Sequence, residues 1–162
     1  MRTDCLLLLG SNQGDRRKNF SRAIAGLKTL PAGRVLALSR VYDTKAVGPK
    51  QRRFLNMVLR YRTALSAMGL MIELKRLEAR AGRRPGKRFG PRPLDIDILD
   101  YGSRHLRSRW LTLPHPLASQ RAFVLAPLCD IAPGFKPAGK STAAQLLKRL
   151  QPSAQEIRRV SP

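Results

Sequence analysis

The chain has 162 residues, a length that predicts one domain over residues 1–162 with a hydrophobic core of its own. Apolar residues make up 43% and charged residues 26%, which is typical of globular proteins and argues against a disordered or membrane-embedded chain. Thirty-two Lys and Arg against ten Asp and Glu give a formal net charge of +22. This charge favours polyanionic partners, and nucleic acid, anionic membranes and polyphosphate ligands all stay open.

The first apolar run indicates a strand rather than a targeting segment. Residues 5–9 (CLLLL) are apolar, and they are bounded by Asp4 and Gly10. Five residues are too few for a signal peptide or a membrane span, so we predict a buried strand over 4–10, no membrane contact and a cytoplasmic location. The two cysteines, Cys5 and Cys129, form no CxxC pair and are expected to be reduced core residues.

The elements that follow have the order strand, helix, strand, strand, helix, strand. Hydrophobic periodicity and turn residues predict strands over 4–10, 34–42, 54–62 and 94–101, and helices over 15–30 and 66–81. Asp15 is the expected N-cap of the first helix. This order predicts an α+β, ferredoxin-like βαββαβ sandwich, with the helices on one face of an antiparallel sheet.

The last third of the chain adds smaller elements to this sandwich. We predict an extended piece near 110–113 and helices near 119–131 and 141–151 as C-terminal helical additions. The tail after about residue 151 is expected to be loose.

Two acids on the last strand of the sandwich are the first candidate site. Asp95 and Asp97 are separated by one residue, so on a strand they point to the same face, while Leu94, Ile96 and Ile98 point to the core. Adjacent carboxylates repel each other unless a cation lies between them. A divalent ion with oxygen ligands would satisfy them, although a solvated polar face with Lys or Arg opposite is an equal alternative.

The loop before this strand favours phosphate chemistry. Eight basic residues lie between Lys75 and Arg92, and Glu78 is the only acid among them. Arginines bind phosphate oxygens in bidentate fashion, and a metal ion neutralises the remaining charge. A nucleic-acid-binding or merely solvated loop is the alternative, but neither explains two acids at its edge.

Three weaker signals surround these motifs. Prolines on both sides fix the backbone of His115, which could donate to a phosphate, although a structural histidine in a turn is the more frequent case. The turn at 10–15 (GSNQGD) lacks the glycine and lysine pattern of a phosphate loop and indicates only a tight turn near the site. Phe54, Asn56 and Phe123 could form an apolar slot with an amide for a flat heterocycle, or could be ordinary core residues.

Taken together, these segments resemble the 6-hydroxymethyl-7,8-dihydropterin pyrophosphokinase family of folate biosynthesis. The similar runs are LGSNQGD (9–15), VYDTKAVGPKQRRFLNMV (41–58), EARAGR (78–83), FGPRPLDIDILDYG (89–102) and LPHPLASQRAFVLAPLCDIAP (113–133). The run GPRPLDIDIL is highly distinctive of that family. Where the family commonly has Trp, this chain has Phe89, and Pro85 stands where an arginine is frequent, so altered loop closure is expected.

The resemblance implies a magnesium-dependent, ATP-dependent diphosphotransferase. Its substrates would be ATP and 6-hydroxymethyl-7,8-dihydropterin, and its products AMP and the pterin diphosphate. Two Mg²⁺ ions would be bound by Asp95 and Asp97, which with Arg83 and Arg92 form the catalytic set. The implied ATP-binding residues are Glu78, Arg83, Arg88, Arg92, Ile98, Thr112, His115 and Arg121. The implied pterin-binding residues are Thr44, Val47, Phe54, Asn56, Phe89 and Phe123.

The competing hypothesis is a ferredoxin-like nucleic-acid-binding module, which the charge of +22 motivates. Such modules stack bases on exposed aromatic residues of the sheet, and only 6% of this chain is aromatic. No RNP-type motif is present, and Asp95 and Asp97 would have no role. We therefore expect at most non-specific nucleic-acid binding and a monomeric enzyme.

Overall fold

The computed structural model describes residues 1–86, 89–137, 139–150 and 157–160. The strands are β1 (Thr3–Ser11), β2 (Arg34–Leu38), β3 (Tyr42–Thr44), β4 (Phe54–Thr63), β5 (Asp95–Tyr101), β6 (Leu106–Arg107), β7 (Thr112–Leu113) and β8 (Ile157–Arg159). The helices are α1 (Arg16–Thr29), α2 (Ala67–Arg80), α3 (Ala122–Ile131) and α4 (Ala143–Leu150). A short 3-10 turn, Ala118–Gln120, precedes α3.

The main sheet has the topology of a ferredoxin-like fold, as predicted. Its order is β5-β1-β4-β3-β8, with β2 also paired to β4, and all the pairings are antiparallel. In each βαβ unit the two strands are therefore separated by a third strand, which is the split arrangement that the element order predicted. Asp15 is the N-cap of α1 as expected, since its side chain accepts a hydrogen bond from the Lys18 amide at 3.0 Å.

The first face of the sheet packs against α1 and α2. Odd-numbered residues of β1 and β4 point to this face, where Leu7 and Leu59 lie with Leu27 of α1 and Leu74 of α2. All four side chains are at most 1% exposed, and burial of each contributes about 1.5–3 kcal/mol. Tyr61 is equally buried, and its hydroxyl donates to the Leu27 carbonyl at 2.8 Å.

The second face is covered by α3 and α4, so the sheet lies between two helical layers. Leu6, Leu8 and Val58 point to this face and pack against Leu125 and Leu128 of α3. The sequence predicted both C-terminal helices but placed helices on one face only. The apolar even-numbered positions of β1 required a cover on this face as well.

The predicted second strand, 34–42, is divided into β2 and β3. At Ser39 the backbone amide donates to the Val58 carbonyl, and the Val58 amide donates to the Ser39 hydroxyl, both at 2.8 Å. A side-chain oxygen therefore replaces a main-chain acceptor in the ladder. Such local bonding by serine interrupts a strand, and the chain resumes pairing with β4 at Tyr42.

The expectation of a loose tail after residue 151 is wrong for residues 157–160. β8 pairs with β3 in the register Tyr42↔Arg159, and the Val160 amide donates to the Val41 carbonyl at 3.0 Å. The unpaired edge of β3 supplied the donors and acceptors that this segment needed. Residues 151–156 lie outside the described residues. Of the helices in the described ranges, none is both long and apolar enough to cross a lipid bilayer.

Candidate active site

The carboxylate pair lies at one end of the second sheet face, beyond the cover of α3. In the sheet register Asp97 is opposite Leu8, and Asp95 is opposite Gly10, which is in turn opposite Asn56 of β4. A side chain at Gly10 would bring its Cβ to 3.1 Å from the Asn56 Oδ1. The bare backbone of Gly10 therefore forms an open floor between a carboxylate on one side and a carboxamide on the other.

The two carboxyl groups have opposite electrostatic environments. Burial, and then the nearby negative charge of Asp95, raise the pKa of Asp97 to about 6. Burial also opposes ionisation of Asp95, but Arg83 and Arg92 outweigh it and hold the pKa of Asp95 below its ordinary value. Arg83 donates to Asp95 Oδ1, and Arg92 Nη1 donates to Asp95 Oδ2 at 2.7 Å. The pair is thus short of positive charge at Asp97, as a cation site requires.

Glu78 of α2 is buried and organises the basic groups of the site. Its Oε1 accepts hydrogen bonds from the Ile96 amide at 2.8 Å and from Lys75 Nζ at 2.9 Å. Its Oε2 lies 2.6 Å from Arg83 Nη1, and its side chain is only 2% exposed. This carboxylate therefore joins α2 to β5 and holds two cations at the site, and its described contacts are with protein groups.

The first cavity, of about 300 Å³, opens above the Gly10 floor. It brings together the whole predicted pterin set and the four predicted catalytic residues: Thr44, Val47, Phe54, Asn56, Phe89, Phe123, Arg83, Arg92, Asp95 and Asp97. Arg121 also lines it, with its guanidinium 5.5 Å from the centre of the Phe123 ring. Asn56 is buried, and its Nδ2 donates to Thr44 Oγ1 at 2.7 Å. This bond fixes the carboxamide, which then offers both donor and acceptor atoms to a polar edge.

The second cavity, of about 310 Å³, lies on the other side of Asp97. Three of the predicted ATP-binding residues, Ile98, Thr112 and His115, line it. Burial and the nearby Arg121 lower the pKa of His115, so its imidazole is neutral near pH 7. The Leu117 amide donates to His115 Nδ1 at 3.2 Å, which places the imidazole proton on Nε2, where it can be donated to a ligand.

A third cavity, of about 800 Å³, runs along the arginine-rich loop. Glu78, Arg83 and Arg92 line it, and so does Pro85. Among the remaining predicted residues, Arg88 lies outside the described residues.

Lys75 is a site residue that sequence reasoning missed. It lines all three cavities, and Asp97 lines the first and the second. Lys75 and Asp97 therefore stand where the first and second cavities meet. Lys75 was counted only as one of the basic residues of the loop region. The missed signal is its position on α2, three residues before Glu78 and so on the same helix face.

Asn12 and Gln51 were also missed, and they join three loops around the first cavity. Asn12 Nδ2 donates to Gln51 Oε1 at 2.9 Å, while Asn12 Oδ1 accepts from the Arg92 amide at 2.8 Å. Gln51 Nε2 donates to the Phe89 carbonyl at 2.6 Å. Because these bonds join residues distant in sequence, no local pattern could indicate them. They set the positions of Arg92 and Phe89.

A ferredoxin-like sheet that presents two carboxylates among converging arginines is typical of proteins that hold a polyphosphate with a divalent cation. Residues 6–133 match the family model described as 7,8-dihydro-6-hydroxymethylpterin-pyrophosphokinase (HPPK). The chain therefore belongs to the HPPK family.

Individual relatives agree with this membership. The 2-amino-4-hydroxy-6-hydroxymethyldihydropteridine pyrophosphokinase of Methylorubrum extorquens is 39% identical over 155 residues, which is 95% of this chain and 98% of that protein. The mitochondrial folate synthesis bifunctional protein of Pisum sativum is 42% identical over 129 residues, or 79% of this chain, but the match spans only 25% of that protein. The wild-type Plasmodium falciparum HPPK-DHPS structure with pterin and p-hydroxybenzoate has a TM-score of 0.77 at 13% identity. That match covers 100% of this chain and 47% of the Plasmodium chain, and it supports the ferredoxin-like fold.

Proposed function

We propose that this protein transfers the β,γ-diphosphate of ATP to the hydroxymethyl oxygen of 6-hydroxymethyl-7,8-dihydropterin, giving AMP and the pterin diphosphate in folate biosynthesis. The observation that carries the proposal is the junction of two cavities at Asp97 and Lys75. A polyphosphate chain at this junction would reach from a nucleoside in the second cavity to an acceptor in the first. The names of the relatives support the same reaction.

Magnesium is the cofactor that fits the donor set. Within the described ranges no cluster of three or more His, Cys, Asp or Glu is placed to hold a metal ion. Asp95 and Asp97 would therefore hold Mg²⁺, two ions in our proposal, together with phosphate oxygens and water, which is the usual way that Mg²⁺ binds with nucleotides. When bound, the ions neutralise charge on the phosphates.

The chain's own residues would act by positioning and by charge. The pterin oxygen forms a bond to the β-phosphorus as the bond from that phosphorus to the α-phosphate oxygen breaks. AMP leaves with the electron pair, and the hydroxyl proton passes to solvent. Arg83, Arg92 and Arg121 are placed to bind the phosphate oxygens, and His115 can donate through Nε2. Such positioning and electrostatic stabilisation account for most of the catalysis in phosphoryl transfer.

The test is AMP formation from Mg-ATP with and without 6-hydroxymethyl-7,8-dihydropterin. We expect AMP only when the pterin and Mg²⁺ are both present, with pterin diphosphate in equal amount. Mass spectrometry of the pterin product separates diphosphate from monophosphate transfer. AMP without pterin, or ADP in place of AMP, would exclude the proposed reaction.

Replacement of Asn56 should separate the two substrates. In Asn56→Leu the carboxamide is lost from the floor of the first cavity, so we expect the dissociation constant of the pterin to rise about a hundredfold. The dissociation constant of a non-hydrolysable ATP analogue should change less than twofold. Both are measured by isothermal titration calorimetry. Thr44→Ser is the matched control because it keeps the hydroxyl that accepts from Asn56, and equal losses for both ligands in Asn56→Leu would argue against the assignment.

Three further expectations stay predictions: a single domain over residues 1–162, a cytoplasmic location and a monomeric state. Sedimentation of the purified chain at several concentrations tests the last of these.

A further inference from the structure

The turn between β6 and β7 displays the one tryptophan of the chain, Trp110. Its side chain is 66% exposed, the most exposed large apolar side chain after Met1 among the described residues. Ser108 shapes the turn, since its hydroxyl accepts from the amides of Trp110 at 3.2 Å and Leu111 at 3.0 Å. A large aromatic side chain presented to solvent by an ordered turn indicates a binding role.

One partner of the Trp110 ring is already in place. The Arg109 guanidinium carbon lies 4.6 Å from the ring centroid, which is a cation–π contact. This contact holds the indole in one orientation. The exposed part of the ring is then available to stack on a second flat group.

Trp110 borders the second cavity, whose two ends differ in chemistry. Met71, Leu74, Ile96 and Ile98 form apolar walls near this turn. Lys75, Asp97 and His115 line the same cavity and supply its charged or hydrogen-bonding groups. Because Lys75 and Asp97 also line the first cavity, the phosphates of a nucleotide belong at that side. The base belongs among the apolar walls, next to Trp110.

We infer that Trp110 stacks on the base of the bound nucleotide at the mouth of the second cavity, with Arg109 positioning the indole. This inference rests on the proposed function, because it takes ATP as the occupant of the second cavity. Trp110 then contributes to affinity for the base and has no part in the transfer step.

The inference is tested by tryptophan fluorescence, because excitation at long wavelength reports on Trp110 alone. Titration with Mg²⁺ and a non-hydrolysable ATP analogue should give a saturable change in Trp110 emission. Inorganic triphosphate with Mg²⁺, which has the phosphates but no base, should give none. An equal response to triphosphate would overturn the inference. So would an equal response to an oligouridine strand at the same nucleotide concentration, which would indicate a general surface for single strands.

Substitution provides an independent readout. In Trp110→Leu we expect the dissociation constant of the ATP analogue, measured calorimetrically, to rise about tenfold. In Trp110→Phe, which keeps a ring, the rise should be about threefold or less. The KM for ATP should follow the same order while kcat stays within twofold. Ile72→Ala, a change of another exposed apolar residue, is the matched control and should leave both unchanged.

The outcomes separate this inference from the proposed function. If the wild type forms AMP with the pterin but Trp110→Leu binds the ATP analogue normally, the inference fails and the function stands. If ATP binds with the expected Trp110 response but no AMP forms, the reaction assignment fails and the stacking role stands. If no ATP binding is detected by calorimetry, both fail.

Discussion

Asp97→Asn should lower the rate of AMP formation about a thousandfold and at the same time make the metal-free protein more stable. The loss of rate follows because the variant removes one of the two carboxylates proposed to hold Mg²⁺, and the charge that builds up on the phosphates is then not balanced. Initial rates at saturating substrates measure it. Asp4→Asn is the control, because Asp4 is paired with Arg60 and Arg62 away from the cavities. A variant with normal turnover would contradict the metal role of Asp97.

The gain in stability follows from the pKa of Asp97. Folding raises that pKa from 3.8 to about 6, so the folded protein binds the proton more tightly than the unfolded chain does. The group therefore stabilises the fold most below about pH 4, and this contribution is lost as the pH rises through about 6. At pH 7 without Mg²⁺ we expect Asp97→Asn to raise the free energy of unfolding by about 2 kcal/mol.

Urea denaturation at pH 4 and pH 7 in the presence of a chelator measures this gain. The pH-dependent part of the difference between wild type and Asp97→Asn should vanish at pH 4. A gain of the same size at both pH values would show that ionisation of Asp97 is not its cause.

Glu78→Ala should be damaging although its carboxylate is proposed to act through its neighbours. The change leaves the Ile96 amide without its acceptor and frees Lys75 and Arg83 from their shared anchor. Removal of one partner from a buried ionic network costs about 3 kcal/mol. We also expect about a hundredfold loss of turnover, because Lys75 and Arg83 no longer hold their positions at the phosphates.

Glu73→Ala is the matched control for this prediction. Glu73 is on the same helix and pairs with Arg76, whose side chain is 63% exposed, so its loss should cost less than about 0.5 kcal/mol. Thermal denaturation and steady-state kinetics on both variants provide the comparison. If Glu78→Ala were as stable as Glu73→Ala but bound ATP weakly, Glu78 would be a direct ligand of the nucleotide and not a positioning residue.

The sequence was most informative where one local rule decides the structure. Asp15 as N-cap, the inward Leu94, Ile96 and Ile98, and the element order of the sandwich all depend on short-range patterns, and all are confirmed. Asp95 and Asp97 were recognisable as neighbours for the same reason.

Features that depend on partners far along the chain could not be derived in this way. The Ser39 hydroxyl divides a strand because Val58 lies opposite it, and the Asn12–Gln51 bond exists because two loops meet. Helix periodicity could have indicated Lys75, but only once Glu78 was known to face β5. Pairing of β8 with β3 was unpredictable from a short basic segment with little apolar content.

The position of β8 also determines when the site becomes complete. Gly10 and Asn56, the floor of the first cavity, belong to strands from the first half of the chain. Thr44, which bonds to Asn56, lies on β3, whose outer neighbour is β8 from the opposite end of the chain. Pairing between such distant segments is slow, because loop-closure entropy opposes it until other contacts have formed. The core can therefore assemble before its active site does, and a nascent chain acquires a finished substrate wall only after its last residues have been synthesised.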